Sequence, residues 1–329
     1  MKELPLITLG LPAYGRPAFL REAIKSCLAQ DYPNLEILVA DDASPQDPWP
    51  GIADLASEKW NYVRHAKNKG GTANFNYLIE KACGEIFVLH QDDDCLHPEF
   101  CRRAAEAMEG RPEAVLYSGL MFRGPKRISI LGQDLKTFNG PWVPLDYLEA
   151  GAHVVESLDA LLMLLFSIPF MHPATAMRRD VLVQTGGYFN ESMFIGDNIT
   201  FSRMLLHGPA IYDTRLSGFF RLHQTNVSTS LDLSKQYAWR RRQLDLLLPL
   251  IKEKFSNWQP RLAELLQNLP RRERWRILTE ALEAGYPKEL NETVAQAVGG
   301  NARKNLLRAR VLKASWSQQW KSLGSRLIK

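Results

Sequence analysis

Four apolar residues, Ile86, Phe87, Val88 and Leu89, run into His90, Gln91 and three consecutive carboxylates, Asp92, Asp93 and Asp94. An unbroken apolar run of this length between polar residues predicts a strand covered on both faces, as in a parallel sheet. The carboxylates then stand at the strand's carboxyl end, the edge at which open α/β sheets bind ligands. Three adjacent like charges repel one another. A bound divalent cation removes the conflict, because hard cations take carboxylate oxygens and bridge them to a diphosphate. The competing reading is an acidic turn that caps the helix starting near Pro98, Asp being a good N-cap.

The surrounding sequence alternates in the same style. Residues 6–11 predict a first strand, and Leu20, Ile24 and Leu28 mark one face of a helix that runs from Pro17 through Gln30. A second strand over 36–40 ends in Asp41 and Asp42; a short helix over 52–58, a third strand over 62–65 and a helix from Asn68 to about Ala82 follow. This order predicts a parallel, doubly wound sheet. In such a sheet both acidic clusters fall on one edge and can line one crevice.

Beyond the Asp triplet, a helix over 98–110 and a strand over 114–119 are followed by the Gly- and Pro-rich segment 123–153. It has no periodicity and reads as loops near the site. Then come a helix over 158–166, a strand over 173–177 and a short helix over 179–184. Phe194 to Asp197 precedes an amphipathic helix, and strands over 211–213 and 218–222 lead to Arg221 and His223. From Leu233 the pattern is helical, over 237–255, 261–269, 272–284, 290–298 and 303–312. The expected division is an α/β domain over 1–230 and a helical C-terminal region with a basic tail over 231–329.

Several classes are excluded. No Gly-x-Gly-x-x-Gly follows the first strand and no P-loop lysine pattern is present, against a dinucleotide dehydrogenase or P-loop NTPase. The four cysteines lack paired CxxC spacing, so neither a zinc site nor a disulfide framework is indicated. With no signal-peptide core and no run of about 18 apolar residues, the chain is expected to be cytoplasmic. Residues 301–329 hold eight Lys or Arg and no Asp or Glu, which leaves about −3 on the rest of a chain whose net charge is +5. With Trp239, Trp258, Trp275, Trp316 and Trp320 nearby in sequence, this basic region suits peripheral contact with the inner face of an anionic membrane as well as it suits water. No nucleic-acid partner is expected, because no recognised module accompanies the charge.

Together these residues carry a family signature. Leu-Gly-Leu-Pro-Ala-Tyr-Gly-Arg-Pro at 9–17 resembles the opening Pro-Thr-Tyr-Asn-Arg-Pro motif of the family 2 glycosyltransferases. Leu28 to Pro33 and Ala40 to Ser44 are similar to that family's Gln-x-Tyr-Pro and Val-Asp-Asp-Gly-Ser pair. Asn68 to Gly71, Gln91 to Asp94 with Pro98, Gly186 to Phe189, and Gly196-Asp197 with Arg203 match further elements in order and spacing. The resemblance covers roughly residues 5–230.

It implies a GT-A fold, here α/β with a C-terminal helical extension. It also implies inverting transfer from a nucleotide-sugar donor to a glycan or lipid-linked acceptor, within polysaccharide biosynthesis, with Mn²⁺ or Mg²⁺ as cofactor. By resemblance, Asp93, Asp94 and His223 would face the metal. Pro12, Tyr14, Asp42, Asp92 and Arg221 would face the donor nucleotide, and Asp197 would be the general base. Three departures stand out: Ala13 and Gly15 for Thr and Asn, Gln91 for the first carboxylate of the metal motif, and Gly196 for the acidic neighbour of Asp197. Two other readings stay open, a sugar nucleotidyltransferase and a catalytically silent binding module. His172 beside Pro173 reads as a core or loop histidine, not a ligand.

Overall fold

The computed structural model describes residues 4–124, 149–166, 169–191, 193–223, 233–299, 301–302 and 304–306. Most of the aperiodic segment (125–148) and most of the basic tail (307–329) lie outside the described residues. Among those described, one sheet contains β1 (Ile7–Ala13), β2 (Leu35–Asp41), β3 (Trp60–Arg64), β4 (Ile86–Leu89), β5 (Cys95–Leu96), β6 (Leu116–Gly124), β7 (Ala152–Val155), β8 (Thr175–Arg178) and β9 (Ala210–Arg221). Their spatial order is β3-β2-β1-β4-β8-β6-β9-β5, with β7 also on β9.

The sheet is mixed. The first four strands are parallel; β8 is antiparallel to β4 and to β6, while β9 follows β6 and carries β5 and β7 antiparallel to it. Only β5, β7 and β8 oppose the other six, so the expected mostly parallel architecture holds.

Alternation along the strands separates two cores. Ile86 and Val88 join Ile7, Leu9 and Leu11 beneath α1 (Pro17–Leu28) and a second helix further along the chain, Phe100–Glu109. Phe87 and Leu89 face the other way, toward α2 (Gly71–Lys81). That second helix of the first face is α3. Gly10 interrupts the apolar run of β1 because Phe87 needs the space: a Cβ there would lie 2.9 Å from the Phe87 ring.

Several elements differ from the sequence reading. The helix expected over 52–58 is a pair of short 3₁₀ turns, Trp49–Gly51 and Ala53–Leu55. Ile52, with φ of −130°, separates the two turns, and Ala56 is extended with ψ of 131°, so the chain leaves helical space on both sides of the second turn. The strands expected over 211–213 and 218–222 are one strand, β9. Its register against β6 shifts on either side of Leu120, a bulge that absorbs the polar residues between the two apolar stretches.

Behind the second core face lie α4 (Ser157–Leu164), α5 (Arg179–Gln184), α6 (Met193–Leu205), α7 (Leu233–Lys254), α8 (Trp258–Gln267), α9 (Arg271–Glu283) and α10 (Lys288–Ala297). Leu244, Ile251, Leu262 and Val294 of the later helices share one apolar cluster with Leu161, Leu162, Phe201 and Leu205 of α4 and α6. Polar ties cross the same boundary. Asn198 donates to Gln243 at 3.0 Å, Gln243 donates to the Leu164 carbonyl at 2.6 Å, and Arg261 grips Asp159 through two bonds of 2.6 and 2.5 Å. No helix among the described residues is long and apolar enough to cross a membrane.

Candidate active site

The Asp triplet sits at the carboxyl end of β4, beside the end of β1. The His90 N–H still bonds the Gly10 carbonyl at 2.9 Å; the chain then turns, with the Asp94 N–H reaching the Gln91 carbonyl at 3.3 Å. All three carboxylates are buried, each with different partners. Asp92 accepts the Tyr14 N–H at 3.2 Å and one nitrogen of the Arg16 guanidinium. Asp93 takes the other terminal nitrogen of Arg16, and the same oxygen contacts His223 Nε2 at 2.9 Å. Asp94 accepts the Arg221 N–H at 2.8 Å through one oxygen, while its other oxygen is buried with no partner among the described residues. Burial pushes the Asp92 carboxyl up to about 7, with Arg16 opposing and Asp93 adding to the rise. Burial, reinforced by Asp93, also holds Asp94 well above the ordinary carboxylate range.

Around the triplet, Pro12 is buried in β1 and paired across to Ala40, whereas Tyr14 just beyond is 50% exposed. Arg221, at the end of β9, donates to the Asp93 carbonyl at 2.9 Å and to Glu22 at 2.7 Å, and lies 4.6 Å from the Phe19 ring centroid. The His223 ring packs on the same Phe19 at 5.0 Å. Arg221 is therefore a buried clamp between the triplet and α1.

The second acidic cluster lies at the end of β2. Asp41 is fully buried. It accepts the Ser44 hydroxyl and N–H and the Tyr62 hydroxyl, and Arg64 stands 3.1 Å away. Asp42 accepts the N–H groups of Lys69 at 2.7 Å and Gly70 at 2.9 Å, which fixes the loop leading into α2. Ala43 between Asp42 and Ser44 has φ of +56°, a left-handed conformation costing a non-glycine residue about 1–2 kcal/mol.

Asp197 reaches the same edge by another route. Because β8 is antiparallel to β4, with Val88 opposite Ala176, the turn His172–Ala174 at its start lies beside the end of β4. His90 Nδ1 contacts the Pro173 carbonyl at 3.2 Å, and burial drives the His90 ring down to about 4, so it is neutral and donates this bond. His172 Nδ1 stands 3.8 Å from Asp197 Oδ1, which accepts the Tyr188 hydroxyl at 2.6 Å. The Asp197 side chain is 38% exposed, hence open to a ligand, while His172 is buried with neither ring nitrogen hydrogen-bonded among the described residues. Burial lowers the His172 pKa, with Asp197 opposing, and burial and Asp197 together raise that of Tyr188.

The loop that delivers Tyr188 is pinned to α2. Asn76 accepts the Tyr188 N–H at 2.8 Å and donates to its carbonyl at 3.0 Å. Gly187 takes φ of +71°, and a Cβ there would lie 2.5 Å from Asn76 Oδ1, so only glycine fits. One local expectation is corrected: α6 begins at Met193, so Asp197 sits inside the helix, not ahead of it.

The structure thus brings Asp92, Asp93, Asp94, Arg221 and His223 together, with Asp197 joined to them through His172, Pro173 and His90. Pro12 and Tyr14 border the triplet, and Asp42 borders the loop before α2. Three residues outside the expected set also belong here: Arg16, Tyr188 and His172. Arg16 lies inside the quoted motif at 9–17, but its reach to carboxylates 76 and 77 positions away is a tertiary fact.

Among the described residues no point is surrounded by three potential metal donors. The donor types nonetheless fit a hard cation. Asp93 and His223 offer carboxylate and imidazole at one place, and an oxygen of neighbouring Asp94 is buried without a hydrogen-bond partner among the described residues, though it does not complete a three-donor group with them.

The Glycosyl transferase family 2 model matches residues 8–185, more than half of the chain. An uncharacterized glycosyltransferase of Rickettsia typhi is 26% identical over 238 residues, covering 71% of this chain and 69% of that protein. Two further rickettsial relatives are matched over only 19% and 14% of their own length. Residues 1–349 of Staphylococcus aureus TarS, solved with UDP-GlcNAc, superpose with a TM-score of 0.59 at 16% identity, covering 95% of this chain and 92% of that one. A mannosyltransferase from Pyrobaculum calidifontis, solved with GDP-Man and Mn²⁺, gives a TM-score of 0.51 at 17% identity over 95% of this chain and 88% of that one. At such identities the two structures speak to the fold alone. The family match makes this chain a member of Glycosyl transferase family 2, a family of enzymes that transfer sugars.

Proposed function

We propose that the protein is an inverting glycosyltransferase. It moves a sugar from a nucleotide-sugar donor to a hydroxyl of a glycan or lipid-linked acceptor, with divalent-metal assistance and Asp197 as general base. The observation that carries this reading is the convergence of Asp92, Asp93, Asp94, Arg221 and His223 on the sheet edge that the Asp197 side chain also reaches. The bound ligands of the two structural neighbours, UDP-GlcNAc in one and GDP-Man with Mn²⁺ in the other, support the donor class and the metal. The nucleotidyltransferase reading falls with the family match.

Asp93 and His223 would hold Mn²⁺ or Mg²⁺, with Asp94 behind them; when bound, the cation supplies positive charge against which the nucleoside diphosphate departs. Asp92, Tyr14 and Pro12 line the donor side, Asp42 holds the loop before α2 against the base of the nucleotide, and Arg221 keeps the triplet closed on α1. On the acceptor side, Asp197 removes the proton from the attacking hydroxyl as the new bond forms. Tyr188 orients the receiving carboxylate through its 2.6 Å hydrogen bond. A single displacement of this kind inverts the anomeric carbon.

In this reading residues 1–230 form the catalytic region, and 231–329 form a helical region whose basic tail touches an anionic cytoplasmic membrane surface. The test is donor hydrolysis across a panel of UDP- and GDP-sugars with Mn²⁺. Slow release of nucleoside diphosphate, abolished by EDTA and by Asp93→Ala, is the expected result. Undiminished release in EDTA overturns the metal assignment. No release from any donor would favour a silent binding module.

A further inference from the structure

We infer that Arg16 is the site's own counter-ion: in the metal-free chain its guanidinium holds the seat between Asp92 and Asp93, and a divalent cation binds in competition with it. The inference rests on the reading of Asp93 and His223 as cation ligands and goes beyond it, because it assigns a competitor for that seat.

The geometry is specific. Arg16 is the residue just ahead of α1, with φ −131° and ψ 60°, outside helical space. Its two terminal nitrogens divide between two carboxylates, one on Asp92 Oδ1 and one on Asp93 Oδ2. That Asp93 oxygen is the one His223 Nε2 contacts at 2.9 Å. A cation held by Asp93 and His223 would stand beside the guanidinium on the same carboxylate, and two positive charges that close repel strongly, so each weakens the other's hold.

Charge makes the guanidinium's position favourable. Asp92 is 1% exposed and Asp93 7%. Leaving a buried carboxylate without a positive partner is strongly unfavourable. The Arg221 guanidinium reaches the Asp93 carbonyl and Glu22. Gln91, where the resembling family carries a carboxylate, adds no charge of its own. Arg16 is also free to leave. Its side chain is 26% exposed, and besides the two carboxylates no hydrogen bond to it is seen among the described residues. A planar fork that matches two carboxylates also suits phosphate oxygens, so displacement would turn it toward an incoming diphosphate.

The experiment titrates Mn²⁺ into the full-length, EDTA-stripped protein without nucleotide and follows the loss of the free-ion electron paramagnetic resonance signal. Arg16→Gln is expected to bind Mn²⁺ about tenfold more tightly than wild type, the gain from removing a competitor that closes the site about nine-tenths of the time. Arg16→Lys keeps the charge and one of the two contacts, and is expected to fall between them. It is the working variant should the glutamine variant not fold. Asp93→Asn should remove the tight site in both backgrounds. Thermal melts without metal should show Arg16→Gln less stable than wild type and recovering more on Mn²⁺ addition. Equal Mn²⁺ affinity in wild type and both variants overturns the inference and leaves the metal reading standing. Binding by none of them overturns it too, and the EDTA comparison of donor hydrolysis then decides whether the metal reading falls with it.

Discussion

Asp92 and His90 stand two residues apart and answer to pH in opposite senses. The Asp92 carboxyl is raised in the folded chain from 3.8 to about 7, so between those values the native state binds a proton the unfolded chain has lost. Stability from this group is therefore present at low pH and lost as pH rises through about 7. The buried His90 is lowered from 6.5 to about 4, so it costs stability as pH falls through that window. A wild-type profile sums the two. Comparing Asp92→Asn with wild type by urea denaturation in EDTA isolates the carboxyl: the variant's relative stability is expected to rise between pH 5 and pH 8. For Asp197, inside α6 and proposed as the general base, Asp197→Asn is expected to lower turnover by about 10²–10⁴-fold. Nucleotide affinity and melting temperature should hardly change. Turnover within threefold of wild type would move the base elsewhere. The acidic residues were legible in the sequence because charge at a strand end is a local pattern. Arg16, Tyr188 and His172 were not, because what defines them is a partner brought close only by the fold.

At the scale of elements, α2 and the Gly187–Tyr188 loop behave as one unit joined by the paired hydrogen bonds of Asn76. Asn76→Ala leaves a buried backbone N–H and carbonyl without partners, and is expected to cost about 1–3 kcal/mol in chemical denaturation. Turnover should fall with it, since Tyr188 loses its position over Asp197. Ala43→Gly is expected to do the reverse, stabilising the turn after β2 by about 0.5–1 kcal/mol as left-handed strain is relieved. Strands built from uninterrupted apolar runs, β4 above all, were read directly. The single strand β9 was not, because Asp213 to Ser217 reads as a polar break. In the structure Asp213 is buried there against Tyr117 and Arg215, which pays no heed to local pattern. The direction of β8 was equally hidden, since alternating strands and helices say nothing of an antiparallel insertion.

Over the whole molecule, α7 to α10 complete the same apolar cluster as α4 and α6. A chain ended at residue 230 is thus expected to expose Leu161, Leu162 and Leu205 and to lose its cooperative melt, read by calorimetry and by solubility. Removing only 307–329 should spare the melt and donor hydrolysis while weakening sedimentation with anionic vesicles at low salt, where attraction between exposed charges is least screened. The composition had located the basic end of the chain, but not that the helices before it lean on α6. The β4–β8 ladder has a consequence of its own. It fixes the span between the triplet and the turn bearing His172 by strand pairing and one histidine–carbonyl bond, independent of the loops above. Loop exchange above this edge can therefore alter what is bound there without moving the Asp triplet relative to the turn bearing His172.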